Sequence, residues 1–126
     1  MSETVGDGAR PMASFVKLLV NDVEASARFY EALGFERAGT DGVFIHLRWR
    51  DDGHLYLVKT PPGMAFDGKR GAGVLVGFAA RDVDGVAARA ASMRAAVEGP
   101  RTTPWHTREI VFADPDGYRL NFAQPG

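Results

Sequence analysis

The residues of this chain that could do chemistry are few and gather late. Trp105-His106-Thr107-Arg108-Glu109 sets an indole, an imidazole and a carboxylate in one short word, and Asn121 adds an amide further on. Such a set can stack against a planar ring and orient its polar or cationic groups. Trp49, Tyr56 and Phe15 are further candidates for a stacking surface. The three histidines are His46, His54 and His106. Pairing His54 with Glu109 would make a non-standard metal site. The commoner reading of histidines without ligand spacing is structural, with His46 on a sheet surface, His54 beside a turn and His106 in a loop. The chain has no cysteine, which excludes disulfides, thiolate nucleophiles and cysteine-based zinc sites. Neither a Ser-His-Asp set, a Walker loop nor a dinucleotide fingerprint is present. Gly71-Ala72-Gly73 precedes a strand instead of a helix, so it is no phosphate cradle.

Two strands and a tight turn must position the late set. Pro115 fixes φ for the second position of a type I turn, Asp114 and Asp116 can bond its backbone, and Gly117 can take a positive φ. The resulting three-residue loop puts Phe112 opposite Leu120 and Ile110 opposite Phe122 on an apolar face. Glu109, Val111 and Asn121 then share the other face. Earlier, Asp51-Asp52-Gly53 reads as a turn with a two-residue loop, pairing residue 51 with 54 and placing Trp49 opposite Tyr56. By this phase Trp49, Tyr56, Trp105, Glu109 and Asn121 line one pocket with His106 at its mouth.

The remaining elements follow in order. Ser14 to Val20 reads as a strand. Asp22 caps a helix from Val23 to Leu33 that Gly34 closes. Strands follow at Phe35 to Ala38, Val43 to Arg50 and His54 to Lys59. Thr60 to Gly73 is rich in Pro and Gly and reads as a linker or flap. The pattern then restarts: a strand from Val74 to Ala80, a helix capped by Arg81-Asp82-Val83-Asp84 and running to about Ala96, a strand near Val97 to Arg101, and the closing hairpin. Asn21-Asp22-Val23-Glu24 and Arg81-Asp82-Val83-Asp84 occupy the same place in each half. The expected domain plan is a flexible tail over residues 1–12, then one domain over 13–126 made of modules 13–60 and 73–124.

The whole chain has 126 residues, 45% hydrophobic and 25% charged, with a formal net charge of −1. That balance suits a globular domain with a real core and argues against nucleic acid as a partner. No apolar run reaches membrane-spanning length, and no secretory leader is visible, so a cytoplasmic protein without membrane contact is expected.

The words Val20-Asn21-Asp22-Val23-Glu24, Arg28-Phe29-Tyr30-Glu31-Ala32-Leu33-Gly34-Phe35, Asp82-Val83-Asp84 and Asp114-Pro115-Asp116-Gly117-Tyr118 stand in an order that resembles the glyoxalase/bleomycin resistance/dioxygenase (vicinal oxygen chelate) superfamily. The resemblance implies an α+β fold of two βαβββ modules, curved mixed sheets around a cavity. Enzymes of that superfamily hold a divalent metal from four strand positions, which fall here on Phe15, Tyr56, Leu75 and Asn121. None of these is a usual ligand for a first-row metal. The Trp105 word is similar to one in bleomycin-resistance-like members, metal-free dimers that sequester a drug. The resemblance therefore implies a small-molecule binding protein, with an aromatic or drug-like ligand held by Phe15, Trp49, Tyr56, Leu75, Trp105, His106, Glu109 and Asn121. No cofactor is expected, and a homodimer is. The alternative is a metal-dependent lyase, isomerase or dioxygenase with a displaced metal site.

Overall fold

The computed structural model describes residues 12–66 and 70–126. Residues 1–11 of the expected tail, and Gly68 of the expected linker, lie outside them. Strand β1 (Val16–Val20) buries Leu18 and Val20. The Asp22 carboxylate then accepts the Ala25 N–H at 3.0 Å and starts helix α1 (Val23–Leu33). Gly34, at φ 124°, ends it by returning its N–H to Glu31 and Tyr30 carbonyls. Strands β2 (Glu36–Asp41), β3 (Phe44–Trp49) and β4 (Gly53–Lys59) complete a sheet of order β1-β4-β3-β2, with β1 parallel to β4.

The second half repeats that plan. Strand β5 (Leu75–Ala79) leads to helix α2 (Val83–Ser92), capped by Asp82 on the Gly85 N–H. Strands β6 (Glu98–Thr102), β7 (Thr107–Ala113) and β8 (Arg119–Pro125) form a sheet of order β5-β8-β7-β6. The fold is thus α+β, two four-stranded mixed sheets each carrying one helix. Helix α2 stops at Ser92, short of the expected Ala96. Arg94 takes the left-handed φ of 67° that glycine usually supplies, and the Ala95 N–H closes back on the Ala90 carbonyl.

One apolar core joins the halves. Phe35 stands edge-on to Phe78 at 5.1 Å, and Trp49 to Phe122 at 5.1 Å. Around them Leu47, Leu55 and Leu57 of the first sheet and Ile110, Phe112 and Leu120 of the second are buried. Polar links cross the same boundary. The Trp49 indole donates to the Ala79 carbonyl at 2.7 Å, and Arg89 Nε to the Leu33 carbonyl at 2.9 Å. Because one face of each sheet is spent on this core, the other face stays open and holds the half-buried and exposed side chains.

Candidate functional site

The β7–β8 hairpin has the expected register. Phe112 pairs with Leu120, Ile110 with Phe122 and Val111 with Asn121, and Gly117 takes φ 95°. The loop hydrogen bonds run from Tyr118 and Asp116 N–H to Asp114 Oδ1, both at 2.9 Å. Glu109 and Asn121 therefore share the open face of the second sheet. There Glu109 organises a network. Its Oε2 accepts from Thr107 Oγ1 at 2.5 Å and from the Trp105 indole at 3.0 Å, and its Oε1 accepts from Asn121 Nδ2 at 3.1 Å. Those bonds from Thr107, Trp105 and Asn121 hold the Glu109 carboxyl below its ordinary range. The charge is thus kept at the sheet surface beside Trp105, whose ring is 65% exposed yet anchored by its N–H. A tethered indole beside a carboxylate and an amide can stack on a planar ring and take a hydrogen-bond donor from its rim. His106, at φ 67°, is exposed next to it, its carbonyl accepting from Gly126 N–H.

The β3–β4 hairpin corrects the expectation for Trp49. Its loop spans residues 50–52, with Arg50 at φ 57°, so Trp49 pairs with Gly53 and His46 with Tyr56. The three-residue loop swaps which face of β3 meets Tyr56. Trp49 is turned into the core, 8% exposed, and has left the Tyr56 face. His46 takes its place on the open face, stacked on Tyr56 with centroids 4.4 Å apart and planes 1° apart. His46 Nε2 also meets His54 Nδ1 at 2.9 Å. Partial burial, then the neighbouring His54 and Arg48, push His46 below the ordinary imidazole value. This face, with Phe15 edge-on to Tyr56 at 5.4 Å and Phe44 tilted on it at the same distance, keeps the expected Phe15 and Tyr56 and adds His46 and Phe44, which the sequence reading missed. Only the turn register concealed them, since alternation within β3 already put His46 opposite Trp49 in phase.

The structure brings the candidates together in two groups. Phe15, His54 and Leu75 line a cleft of ≈ 280 Å³ between the first sheet and β5. Trp105, Glu109 and Asn121 form the network on the second sheet. Among the described residues no hydrogen bond or ring contact links Tyr56 to that network within one chain. Lys17 holds its ammonium 5.8 Å over the Phe15 ring. Arg108 and Arg119 pair with Asp84 and Glu98.

The donor set at the four strand positions does not fit a metal. Phe15 and Leu75 have no donor atom, which leaves only the Tyr56 hydroxyl and the Asn121 amide oxygen, too few and too weak a set for a first-row metal. Within one chain, among the described residues, His54 and Glu109 do not meet. His54 meets His46 on the first sheet, while Glu109 is engaged on the second.

Comparisons with known proteins agree with this geometry. A family model, the Glyoxalase/Bleomycin resistance protein/Dioxygenase superfamily, matches residues 13–122. No curated protein matches the chain. Among solved structures, TnmS3, an antibiotic binding protein from Streptomyces sp. CB03234, is 30% identical with TM-score 0.73, covering 95% of this chain and 100% of its own. A glyoxalase/bleomycin resistance protein from Streptomyces sp. CB03234 is 32% identical with TM-score 0.68, covering 87% of this chain and 97% of its own. A bleomycin-binding protein complexed with bleomycin shares the fold, at 22% identity and TM-score 0.69, over 93% of this chain and 100% of its own. With its repeated sheet-and-helix plan and a family match spanning nearly the whole described chain, the protein belongs to the glyoxalase/bleomycin resistance protein/dioxygenase superfamily.

Proposed function

We propose that this protein binds and sequesters a planar aromatic or drug-like small molecule, an antibiotic being the leading class, as a homodimer and without a metal at the four strand positions. The observation that carries this is Trp105: a large ring left open to solvent yet fixed in place by Glu109, itself fixed by Thr107 and Asn121. An exposed indole with its rotamer settled loses little entropy on stacking, which favours capture over simple packing. The similarity to an antibiotic binding protein over the full length of that chain supports the same reading.

What one chain leaves open supports the dimer. Phe15, Val74 and Leu75 are each more than half exposed around the cleft. Apolar area of that kind calls for a second surface. A second copy could set the Trp105 network across from the Tyr56 face, closing a site that one chain has only in halves.

A thermal-shift screen of aromatic antibiotics, bleomycin included, on chelator-treated protein tests the proposal. A specific ligand raises the melting temperature by mass action, with the logarithm of its concentration above Kd. Stoichiometric metal at the four strand positions, whose removal abolishes ligand turnover, would replace this reading with an enzymatic one. Light scattering that gives a monomer at micromolar concentration would remove the dimer.

A further inference from the structure

The His46–His54 pair borders the Tyr56 face but is not needed for stacking on Trp105, and its own geometry is unusual. The register pairs His46 with Tyr56 and Arg48 with His54, so the two histidines are diagonal neighbours across β3 and β4 on the open face. Both rings are half-buried, and their facing nitrogens are 2.9 Å apart. The ring planes differ by 31°. His46 is stacked on Tyr56, which keeps its ring on the open face beside His54.

We propose that His46 Nε2 and His54 Nδ1 form a bidentate site for a divalent transition-metal ion of the nickel–copper end of the series. Two nitrogens bound at ~2.05 Å to one ion and 2.9 Å apart subtend about 90°. That is the cis angle of square-planar and octahedral ions; a tetrahedral zinc would need the pair opened to roughly 3.3 Å. The ion lies to the open side of the nitrogen–nitrogen line, about 45° off it at each nitrogen, so the rings turn about their side-chain bonds to aim both lone pairs at it, and water completes its coordination.

The proton balance is simple. The neutral pair carries one N–H between the facing nitrogens. When the ion enters, that proton moves to the far nitrogen of its own ring, and both facing nitrogens offer lone pairs. No net proton is lost from a pair that starts neutral.

The surroundings set the strength. Arg48 stands opposite His54 but is paired with Glu36 at 3.2 Å, and Lys17 is the strand neighbour of Tyr56. Cations nearby and only two protein donors predict micromolar affinity, far from that of a four-ligand structural site. This site uses none of the four strand positions as a ligand; Tyr56 stacks on His46, and Phe15 and Leu75 share a cleft with His54.

Isothermal titration of the chelator-treated full chain with Ni²⁺ alone, and with Cu²⁺ alone, tests the site at neutral pH. The expected result is one ion per chain at micromolar affinity. His46→Gln and His54→Gln should each weaken it at least ~10-fold, and His106→Gln should leave it unchanged. Bound Cu²⁺ should show hyperfine coupling to two imidazole nitrogens in its electron paramagnetic resonance spectrum, reduced to one in either variant. If His46→Gln misfolds through loss of the Tyr56 stack, His54→Gln decides alone, because His54 has no such stack. Absence of binding at ~100 μM ion, binding unchanged in His54→Gln, or binding lost in His106→Gln overturns the proposal.

Discussion

The Tyr30 phenol donates a 2.6 Å hydrogen bond to Asp114 Oδ2, tying helix α1 of the first half to the β7–β8 hairpin of the second, with both groups buried. Burial, then the Asp114 charge, pushes the phenol well above its ordinary pKa, so it remains a donor throughout the accessible range. Tyr30→Phe removes that donor and leaves a buried carboxylate oxygen short of a partner. The variant should lose ~1–3 kcal/mol, read as a lower denaturant midpoint at unchanged slope.

Asp114 also predicts a pH dependence. Burial raises its pKa, outweighing its hydrogen bonds from Tyr30, Tyr118 and Asp116. A raised folded value means that its contribution to stability is full below the unfolded carboxyl pKa and is lost as pH rises through the folded value. Asp114→Asn keeps the acceptor for the two loop N–H groups and does not titrate. Chemical denaturation across the acidic range should show this decline in the parent and its absence in the variant.

The two tryptophans should separate cleanly. Trp49 is packed against Phe35 and Phe122 and donates to Ala79, so Trp49→Ala should cost ~3–5 kcal/mol. Trp105 is exposed, and Trp105→Ala should change stability by no more than about 0.5 kcal/mol. Thermal unfolding of both variants checks this. A similar loss for both would return Trp105 to the core.

What the sequence made legible depended on which residues enforce a single local answer. Asp22 and Asp82 as caps, Gly34 as a helix stop, and Pro115 with Gly117 in the hairpin each have one favoured conformation, and both helix starts, the end of α1 and the β7–β8 register came out as read. The Asp51-Asp52-Gly53 turn has no such residue at its decisive position. Arg50 takes a left-handed φ of 57° although it has a side chain, and nothing local marks an arginine for that role. Its consequence is large, because an odd shift in register exchanges faces: Trp49 goes to the core and His46 to the Tyr56 stack. The Glu109–Asn121 contact was legible from phase. The Trp105 and Thr107 bonds to Glu109 depend on loop geometry that no periodicity encodes.

Glu109 gives a second pH signature, of opposite sign to Asp114. Its pKa is lowered by Thr107, Trp105 and Asn121, so its share of stability is present above the unfolded glutamate value and is lost as pH falls through the folded one. The Trp105 indole N–H resonance should follow that titration, shifting as the carboxylate takes up its proton. In Glu109→Gln the shift should vanish.

Arg70 should act as a latch on the segment between the sheets. Its guanidinium donates to the Leu19 carbonyl and to Asn21 Oδ1, both at 2.7 Å, approaches Asp116, and lies 4.1 Å from the Phe66 ring centroid. Arg70→Ala should lower stability by ~1–3 kcal/mol, and Arg70→Lys should restore little of it because one ammonium cannot reproduce the fork. Denaturant midpoints of the two variants decide.

The central claim is that the open sheet faces capture a small aromatic molecule through Trp105. It is tested most directly by isothermal titration of chelator-treated protein with bleomycin and a set of planar aromatic antibiotics, in parallel with Trp105→Ala. The account predicts saturable binding of at least one compound by the parent protein, weakened by ~1–3 kcal/mol in Trp105→Ala. Binding of equal strength in that variant, or no binding of any compound, would contradict it.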